Sequence, residues 1–199
     1  MSDHGFASFR KSVNYDTWLV LNGYMVLKTG VQSKERNLEM LFDQGQFWEN
    51  VDWSKSRAYA MGLGDVYVNL RGRERDGLVA PGAEYDALRT ELIARLTALA
   101  DPVNGERAVS RVFKREDVYR RFDPRTIPDL IVTNTAGYRV SWQTTLGGSP
   151  PGIVYPNARK WSADHGGYDF AITAGVLISN RPANTPTPTT NPRTIEARR

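Results

Sequence analysis

The most regular hydrophobic pattern in the chain lies after Pro81, where leucines recur at spacings of three and four residues. The recurring positions are Leu88, Leu92, Leu96 and Leu99. Such spacing places the apolar side chains on one face of an α-helix. Pro81 suits the first turn of that helix, and Asp101-Pro102 predicts its end. The pattern therefore predicts an amphipathic helix that packs on a sheet.

Short runs rich in valine, isoleucine and aromatic residues predict β-strands elsewhere in the chain. The predicted strands cover residues 24–27, 65–70, 109–113, 130–132, 138–142 and 172–179. A second helix is predicted to begin near Asn14, which can cap its first turn, and to stop at Asn22-Gly23. Both patterns occur in a chain of 199 residues that is 40% hydrophobic. We therefore predict a mixed α/β domain with a substantial core.

The composition changes from Arg181 onward to proline, threonine, asparagine and arginine, which predicts a disordered tail over residues 182–199. The formal net charge of the chain is +4, and residues 181–199 contribute four arginines and only one glutamate. The rest of the chain is therefore nearly balanced in charge. The tail also lacks aromatic residues for base stacking, so we predict no nucleic-acid binding.

Several protein classes are disfavoured by what the sequence lacks. It has no cysteine, which excludes disulfides and thiolate metal sites. The first residues lack the basic and apolar segments of a signal peptide, and no apolar run is long enough to span a bilayer. We therefore expect neither a signal peptide nor a membrane partner, and the sequence does not indicate a compartment.

The chain contains only two histidines, and both stand in the same tripeptide. One is Asp3-His4-Gly5 and the other is Asp164-His165-Gly166. Imidazole nitrogen and carboxylate oxygen are the ligands that zinc uses when thiolate is absent, and a following glycine suits a tight ligand loop. The alternative is that each aspartate caps a turn and each histidine makes an ordinary hydrogen bond. Spacing alone leaves both interpretations open.

A longer series of segments, in order along the chain, resembles one enzyme family. The segments include Ser2-Asp3-His4-Gly5-Phe6, Val51-Asp52-Trp53-Ser54-Lys55, Val66-Tyr67-Val68-Asn69-Leu70 and Trp161-Ser162-Ala163-Asp164-His165. Over residues 2–181 the chain resembles the type I phosphodiesterase/nucleotide pyrophosphatase family of the alkaline phosphatase superfamily. The resemblance implies an incomplete doubly wound alkaline-phosphatase-like core over residues 1–181, with an inserted cap at about 30–125.

The resemblance also implies two divalent metal ions, usually zinc, at the carboxyl ends of the strands. Asp3 and His4 match the aspartate-histidine pair that binds one metal ion, and His165 matches the late histidine that binds the other. Asp164 has no matching ligand role, and we expect it to support the site from outside the coordination sphere or to be structural. Only partial metal sites are therefore expected on this chain.

The family's nucleophile is a threonine or serine that lies before the Asp-His-Gly block, so we expect no catalytic nucleophile on this chain. The resemblance then implies the C-terminal fragment of a metal-dependent phosphodiesterase or nucleotide pyrophosphatase, inactive alone. Its partners would be a phosphodiester or nucleotide substrate and a complementing N-terminal chain. The alternative is a non-catalytic interaction module that retains the scaffold. Arg71 and Arg73 offer phosphate-binding groups, although a solvated loop explains them equally well.

Overall fold

The computed structural model describes residues 2–31, 48–176 and 178, which form two four-stranded β-sheets with helices packed against them. The helices are α1 (Tyr15–Leu21), α2 (Ala83–Thr97), α3 (Arg115–Val118) and α4 (Trp142–Thr145). The strands are β1 (Ala7–Val13), β2 (Ala58–Met61), β3 (Asp65–Val68), β4 (Val109–Lys114), β5 (Leu130–Asn134), β6 (Gly137–Val140), β7 (Val154–Pro156) and β8 (Ala163–Asp164). The fold is therefore mixed α/β.

The first sheet is built around β1, which pairs with three strands from the last third of the chain. Its order is β6-β1-β7, and β8 joins the beginning of β1. β1 runs parallel to β6, with Val13 opposite Val140, and antiparallel to β7 and β8. Ala7 lies opposite Asp164 in the β1–β8 pair. The sheet thus joins the two ends of the described chain.

The second sheet has the order β2-β3-β5-β4, and all of its pairs are antiparallel. Helix α2 packs against β4 and β5. The leucines of its predicted apolar face, Leu88, Leu92 and Leu96, are all buried. Their burial at spacings of four residues explains why this segment is helical, because the exposed alternative would leave three large apolar side chains in water. The prediction of this helix is confirmed, although it ends at Thr97 rather than at Asp101.

The helix predicted from Asn14 is also confirmed, but the predicted cap is wrong. Asn14 stands at the N-cap position of α1, yet its side chain makes no capping hydrogen bond. Its Nδ2 instead donates to the carbonyl of Gly152, 3.0 Å away. The side chain therefore ties α1 to the loop before β7 rather than to its own first turn. At the other end the chain turns at Gly23, whose φ of 74° favours glycine.

Two predicted strands are wrong. Residues 24–27 form only an isolated bridge between Leu27 and Val51, and residues 172–176 form only a bridge between Val176 and Ser2. Residues 177 and 179 lie outside the described residues. The strand predicted over 138–142 ends at Val140, because Ser141 accepts from the backbone N–H of Gln143 and begins α4. The remaining predicted strands appear as β3, β4 and β5.

The predicted doubly wound core and inserted cap concern the arrangement of strands in the two sheets. Among the described strands, only β1 and β6 pair in parallel. The second sheet includes β5, which lies beyond the predicted end of the cap at about residue 125. The doubly wound core and the cap over residues 30–125 therefore stay predictions. The predicted tail, residues 182–199, lies outside the described residues. Within the part of the chain described, no helix has the length and apolar character needed to cross a bilayer.

Candidate functional site

The two Asp-His-Gly triplets meet on the surface near the beginning of β1. The imidazole rings of His4 and His165 stack with their centroids 3.8 Å apart and their planes within 10° of parallel. These residues are 161 positions apart in the sequence. The family resemblance assigns both histidines to one two-metal site, which requires them to lie close together, and the structure shows that they do. Their roles as metal ligands stay predictions.

Backbone pairing brings the triplets together. The N–H of Ser2 donates to Val176, the N–H of Val176 donates back to Ser2, and the N–H of Gly5 donates to the carbonyl of Thr173. On the other side, the antiparallel β1–β8 pair places Asp164 opposite Ala7. Both triplets therefore stand at the ends of paired segments, which fixes their relative position without help from the side chains.

The surroundings of His4 define which of its nitrogens is open to a ligand. Nδ1 lies 3.1 Å from the carbonyl oxygen of Gly5. A carbonyl oxygen can only accept, so this contact favours a proton on Nδ1 and leaves the lone pair on Nε2. Nε2 lies 3.9 Å from Oδ1 of Asp3, whose side chain is exposed. A metal-binding histidine typically has this arrangement, with one nitrogen held by a carbonyl and the other available.

The Asp3–His4 spacing is compatible with two ligands of one ion. Two ligand atoms at zinc distances in a tetrahedral site are separated by about 3.4 Å, and the observed separation of 3.9 Å between Nε2 and Oδ1 is close to that. The set is nevertheless small. The described residues contain no cluster of three or more histidine, cysteine, aspartate or glutamate side chains suited to hold a metal ion.

Asp164 is engaged by the protein on both carboxylate oxygens. Oδ1 accepts from the backbone N–H groups of His165 and Gly166, at 2.7 and 3.3 Å. Oδ2 forms an ion pair of 2.7 Å with Nη2 of Arg139. These contacts fix the turn that carries His165. They are the contacts that a supporting role requires, and that role stays a prediction for Asp164.

The glycines of the two triplets act through their size rather than through unusual backbone angles. Neither Gly5 nor Gly166 has a positive φ, contrary to the expected conformational role. A Cβ at Gly5 would lie 3.1 Å from the carbonyl oxygen of Ala174, and one at Gly166 would lie 2.6 Å from the side chain of Leu63. Both glycines therefore permit a close approach of neighbouring chain. The next residue, Gly167, is the one that needs glycine's conformation, with φ of 73°.

Three further residues, to which the sequence assigned no role at the site, lie at or beside it. Phe6 packs edge-on against both imidazoles, with centroids 5.7 and 5.5 Å away, and remains 63% exposed. Ser2 donates its hydroxyl to the carbonyl oxygen of His4, at 2.6 Å. Arg139, which lies in β6, forms an ion pair with Asp164. Phe6 directly follows a triplet and could have been noticed, whereas nothing in the local sequence signals the burial of Arg139.

The phosphate-binding interpretation of Arg73 is wrong, because the structure commits this side chain to a buried carboxylate. Its Nη1 and Nη2 donate to the two oxygens of Asp129, at 2.9 and 2.7 Å. Asp129 is fully buried and also accepts from the hydroxyl of Tyr85. Arg71 is not in such a pair and donates to the carbonyl of Leu78. Arg73 therefore supports the second sheet rather than a ligand.

A family model described as type I phosphodiesterase / nucleotide pyrophosphatase matches residues 1–169. The chain belongs to this family. No curated protein and no solved structure matches it significantly. Type I phosphodiesterases and nucleotide pyrophosphatases are phosphoester hydrolases and are generally metal-dependent. Family membership thus supports a hydrolase of phosphoesters, and it leaves the number and identity of the metal ions undefined.

Proposed function

We propose that this chain supplies part of the two-metal site of a phosphodiesterase or nucleotide pyrophosphatase. Asp3 and His4 would hold one divalent ion and His165 the other, with zinc as the expected metal. The observation that carries the proposal is the stacking of His4 on His165, although the two residues lie near opposite ends of the described chain.

The orientation of the rings supports one ion for each histidine. Lone pairs on ring nitrogens lie in the ring planes, so two nearly parallel rings direct them side by side rather than toward one point. Rings stacked at 3.8 Å are compatible with two neighbouring ions, which lie about 3.5–4 Å apart in two-metal hydrolases. When bound, such ions neutralise charge on the phosphoryl oxygens and stabilise the attacking and leaving oxygens.

We also propose that the chain alone does not complete this site. A catalytic zinc typically has three protein ligands, whereas Asp3 and His4 provide two and His165 provides one. The nearest hydroxyl in sequence, that of Ser2, donates to the His4 carbonyl oxygen and not to an imidazole nitrogen. The missing ligands and the nucleophile would come from a complementing N-terminal chain. The substrate would be a phosphodiester or a nucleotide.

Two measurements on the same protein test the proposal. Isothermal titration with zinc should show weak binding that a His4→Ala/His165→Ala double variant loses. Hydrolysis of a chromogenic phosphodiester in excess zinc should not exceed a metal-only control for either protein. Zinc binding that is unchanged in the double variant would refute the metal site. Turnover that the double variant abolishes would refute the incomplete site, because it would require a nucleophile within this chain.

A further inference from the structure

Three aromatic rings gather beside β2, away from the histidine pair. The ring centroid of Tyr59, in β2, lies 5.2 Å from that of Trp53 and 5.5 Å from that of Trp48. The two tryptophan centroids are 6.2 Å apart, and the three ring planes are inclined to one another by between 66° and 89°. All three side chains are only partly buried. The cluster therefore keeps accessible aromatic surface.

These rings line a cavity of about 350 Å³. Sites for small molecules usually have volumes of about 300–1,000 Å³ and mostly apolar or aromatic walls with a few polar groups. The remaining wall includes Glu74, Arg75 and Asp76, from the turn after β3. The cavity thus has the size of a small-molecule site and combines aromatic surface with charged groups.

Glu74 has a carboxylate oxygen that the protein leaves open. Oε1 accepts from the hydroxyl of Tyr59, at 3.2 Å, and from Nε of Arg73, at 2.9 Å. Oε2 accepts no hydrogen bond from the residues that the structure describes. The side chain is 26% exposed, so this oxygen is open to a ligand. A ligand that supplies a donor would satisfy it.

Two of the polar donors beside the rings are already used. Nδ2 of Asn69 donates to three backbone carbonyl oxygens, at distances of 2.8 to 3.1 Å. The hydroxyl of Tyr59 donates to Glu74, and burial raises the pKa of Tyr59, so this hydroxyl keeps its proton. An open acceptor beside committed donors favours a ligand that donates over one that accepts.

The charges of the wall favour a cation. Glu74 and Asp76 are negative and Arg75 is positive, so the lining side chains carry more negative than positive charge. Arg75 and Asp76 are both exposed and offset one another at the rim. Aromatic rings add to this preference, because a cation within about 6 Å of a ring face is attracted by the ring quadrupole.

We propose that this cavity binds a small alkylammonium ion, with its charged nitrogen near Oε2 of Glu74 and its alkyl groups against Trp53 and Tyr59. The carboxylate and the rings then act on the same ligand. The site uses neither histidine and needs no metal ion. It therefore goes beyond the proposed phosphodiesterase function and is tested separately from it.

The test compares tert-butylammonium chloride with tert-butanol, which have nearly the same size and differ in charge. Binding is followed by the indole N–H signal of Trp53 in ¹⁵N-labelled protein, assigned by its loss in a Trp53→Phe variant. Sodium chloride holds the ionic strength constant. We expect a saturable shift with the cation, half-complete at about 10 mM or below, and binding of the alcohol that is about tenfold weaker or more. No saturable shift with the cation up to about 100 mM, or an equal response to the alcohol, would overturn the proposal.

Two charge variants give a second measurement with opposite expected signs. Glu74→Gln keeps an acceptor for Tyr59 but removes the charge, and it should weaken binding of the cation about three- to fivefold. Arg75→Gln removes a positive charge from the rim and should strengthen binding about twofold. Arg121→Gln, which changes an exposed arginine outside the cavity, is the matched control and should leave the affinity unchanged. Weaker binding in Arg75→Gln with no change in Glu74→Gln would also overturn the proposal. If Glu74→Gln does not fold, the wild-type comparison of cation and alcohol still decides.

Discussion

The imidazole ring of His4 lies face to face with that of His165, at 3.8 Å between centroids. Among the residues that the structure describes, only His4 has a carboxylate paired with its ring, at 3.9 Å between Nε2 and Oδ1 of Asp3. The two histidines are therefore unequal, although their rings are stacked and their tripeptides are identical. This inequality makes the metal-site proposal testable with single variants.

We predict that His4→Ala weakens zinc binding more than His165→Ala does. His4→Ala removes one of two donors for the same ion and leaves an exposed aspartate alone, whereas His165→Ala leaves the Asp3–His4 pair intact. Removal of a group that only supports a ligand typically costs 10–100-fold in metal affinity, so removal of the proposed ligand His4 should cost about tenfold or more. Zinc titration calorimetry measures it, with Asp76→Asn, an exposed acid in the turn after β3, as the control. Equal affinities of all three variants would contradict the prediction.

Asp164→Asn should destabilise the protein by about 3–5 kcal/mol, because it removes a charge from the buried pair and leaves the Arg139 guanidinium uncompensated. The double variant Arg139→Met/Asp164→Asn should be less destabilised than Asp164→Asn alone, since it leaves no unpaired charge. Lys55→Ala breaks an exposed ion pair with Asp52 and should change the Tm little. Urea denaturation gives these free energies. A double variant less stable than Asp164→Asn would show that packing, rather than charge, dominates here.

Ionisation of the buried Asp65 side chain should lower the free energy of unfolding as the pH rises through weakly acidic values. Burial raises the pKa of Asp65 from 3.8 to about 6, so the folded state binds the proton more tightly than the unfolded state does. Stability is therefore lost between these two pH values as the pH increases. The shift corresponds to about 3 kcal/mol at most, and partial exposure reduces the expected effect to about 1–2 kcal/mol.

The measurement for Asp65 is the stability of Asp65→Asn relative to wild type from about pH 4 to about pH 7. The free energy of unfolding of Asp65→Asn should increase relative to that of the wild type as the pH rises. Asp52→Asn serves as a control without a slope, because the hydrogen bond from Lys55 lowers the pKa of Asp52 below its ordinary 3.8. The stabilising effect of Asp52 is fully present above pH 3.8 and is lost only at lower pH, so the difference in stability between Asp52→Asn and wild type should stay constant over the measured range. Parallel trends in the two variants would contradict the assignment.

Adjacent glycines in the His165 turn should respond differently to alanine. At Gly166 the added Cβ meets the flexible, exposed side chain of Leu63, so Gly166→Ala should cost about 1 kcal/mol. Gly167 has φ of 73°, and its Cβ would lie 2.7 Å from the carbonyl oxygen of Leu63. Gly167→Ala should therefore cost about 2–4 kcal/mol. Leu63→Ala should rescue the first variant and leave the second unstable. Rescue of both would show that backbone strain is unimportant.

The sequence predicted those elements whose pattern is local. Leucines spaced by three and four residues predicted α2, because the periodicity itself requires a helix to bury them on one side. Strand β1 was missed because Arg10 and Lys11 interrupt its apolar alternation. Its conformation depends on pairing with β6, β7 and β8, and a local pattern cannot show partners so distant in sequence.

The candidate site was predictable only as a set of residues. Two identical triplets and the family resemblance identified His4 and His165, and the structure supplied their stacking. The burial of Arg139 could not be predicted, because a charged residue between Tyr138 and Val140 in a strand would ordinarily face water. Its position follows from Asp164, which is a tertiary partner. Charge pairs of this kind leave no periodic signal in the chain.

The pairing of β1 with strands from the other end of the described chain has a consequence for the order of folding. Contacts such as that between the Tyr168 hydroxyl and the Ala7 carbonyl span 161 positions. During synthesis β1 leaves the ribosome before its partner strands, so its backbone donors and acceptors stay unpaired with them until β6, β7 and β8 have followed. The second sheet can form first, because its strands lie within a shorter stretch of chain. The histidine pair is thus assembled last, and β1 is the segment most exposed to mispairing until then.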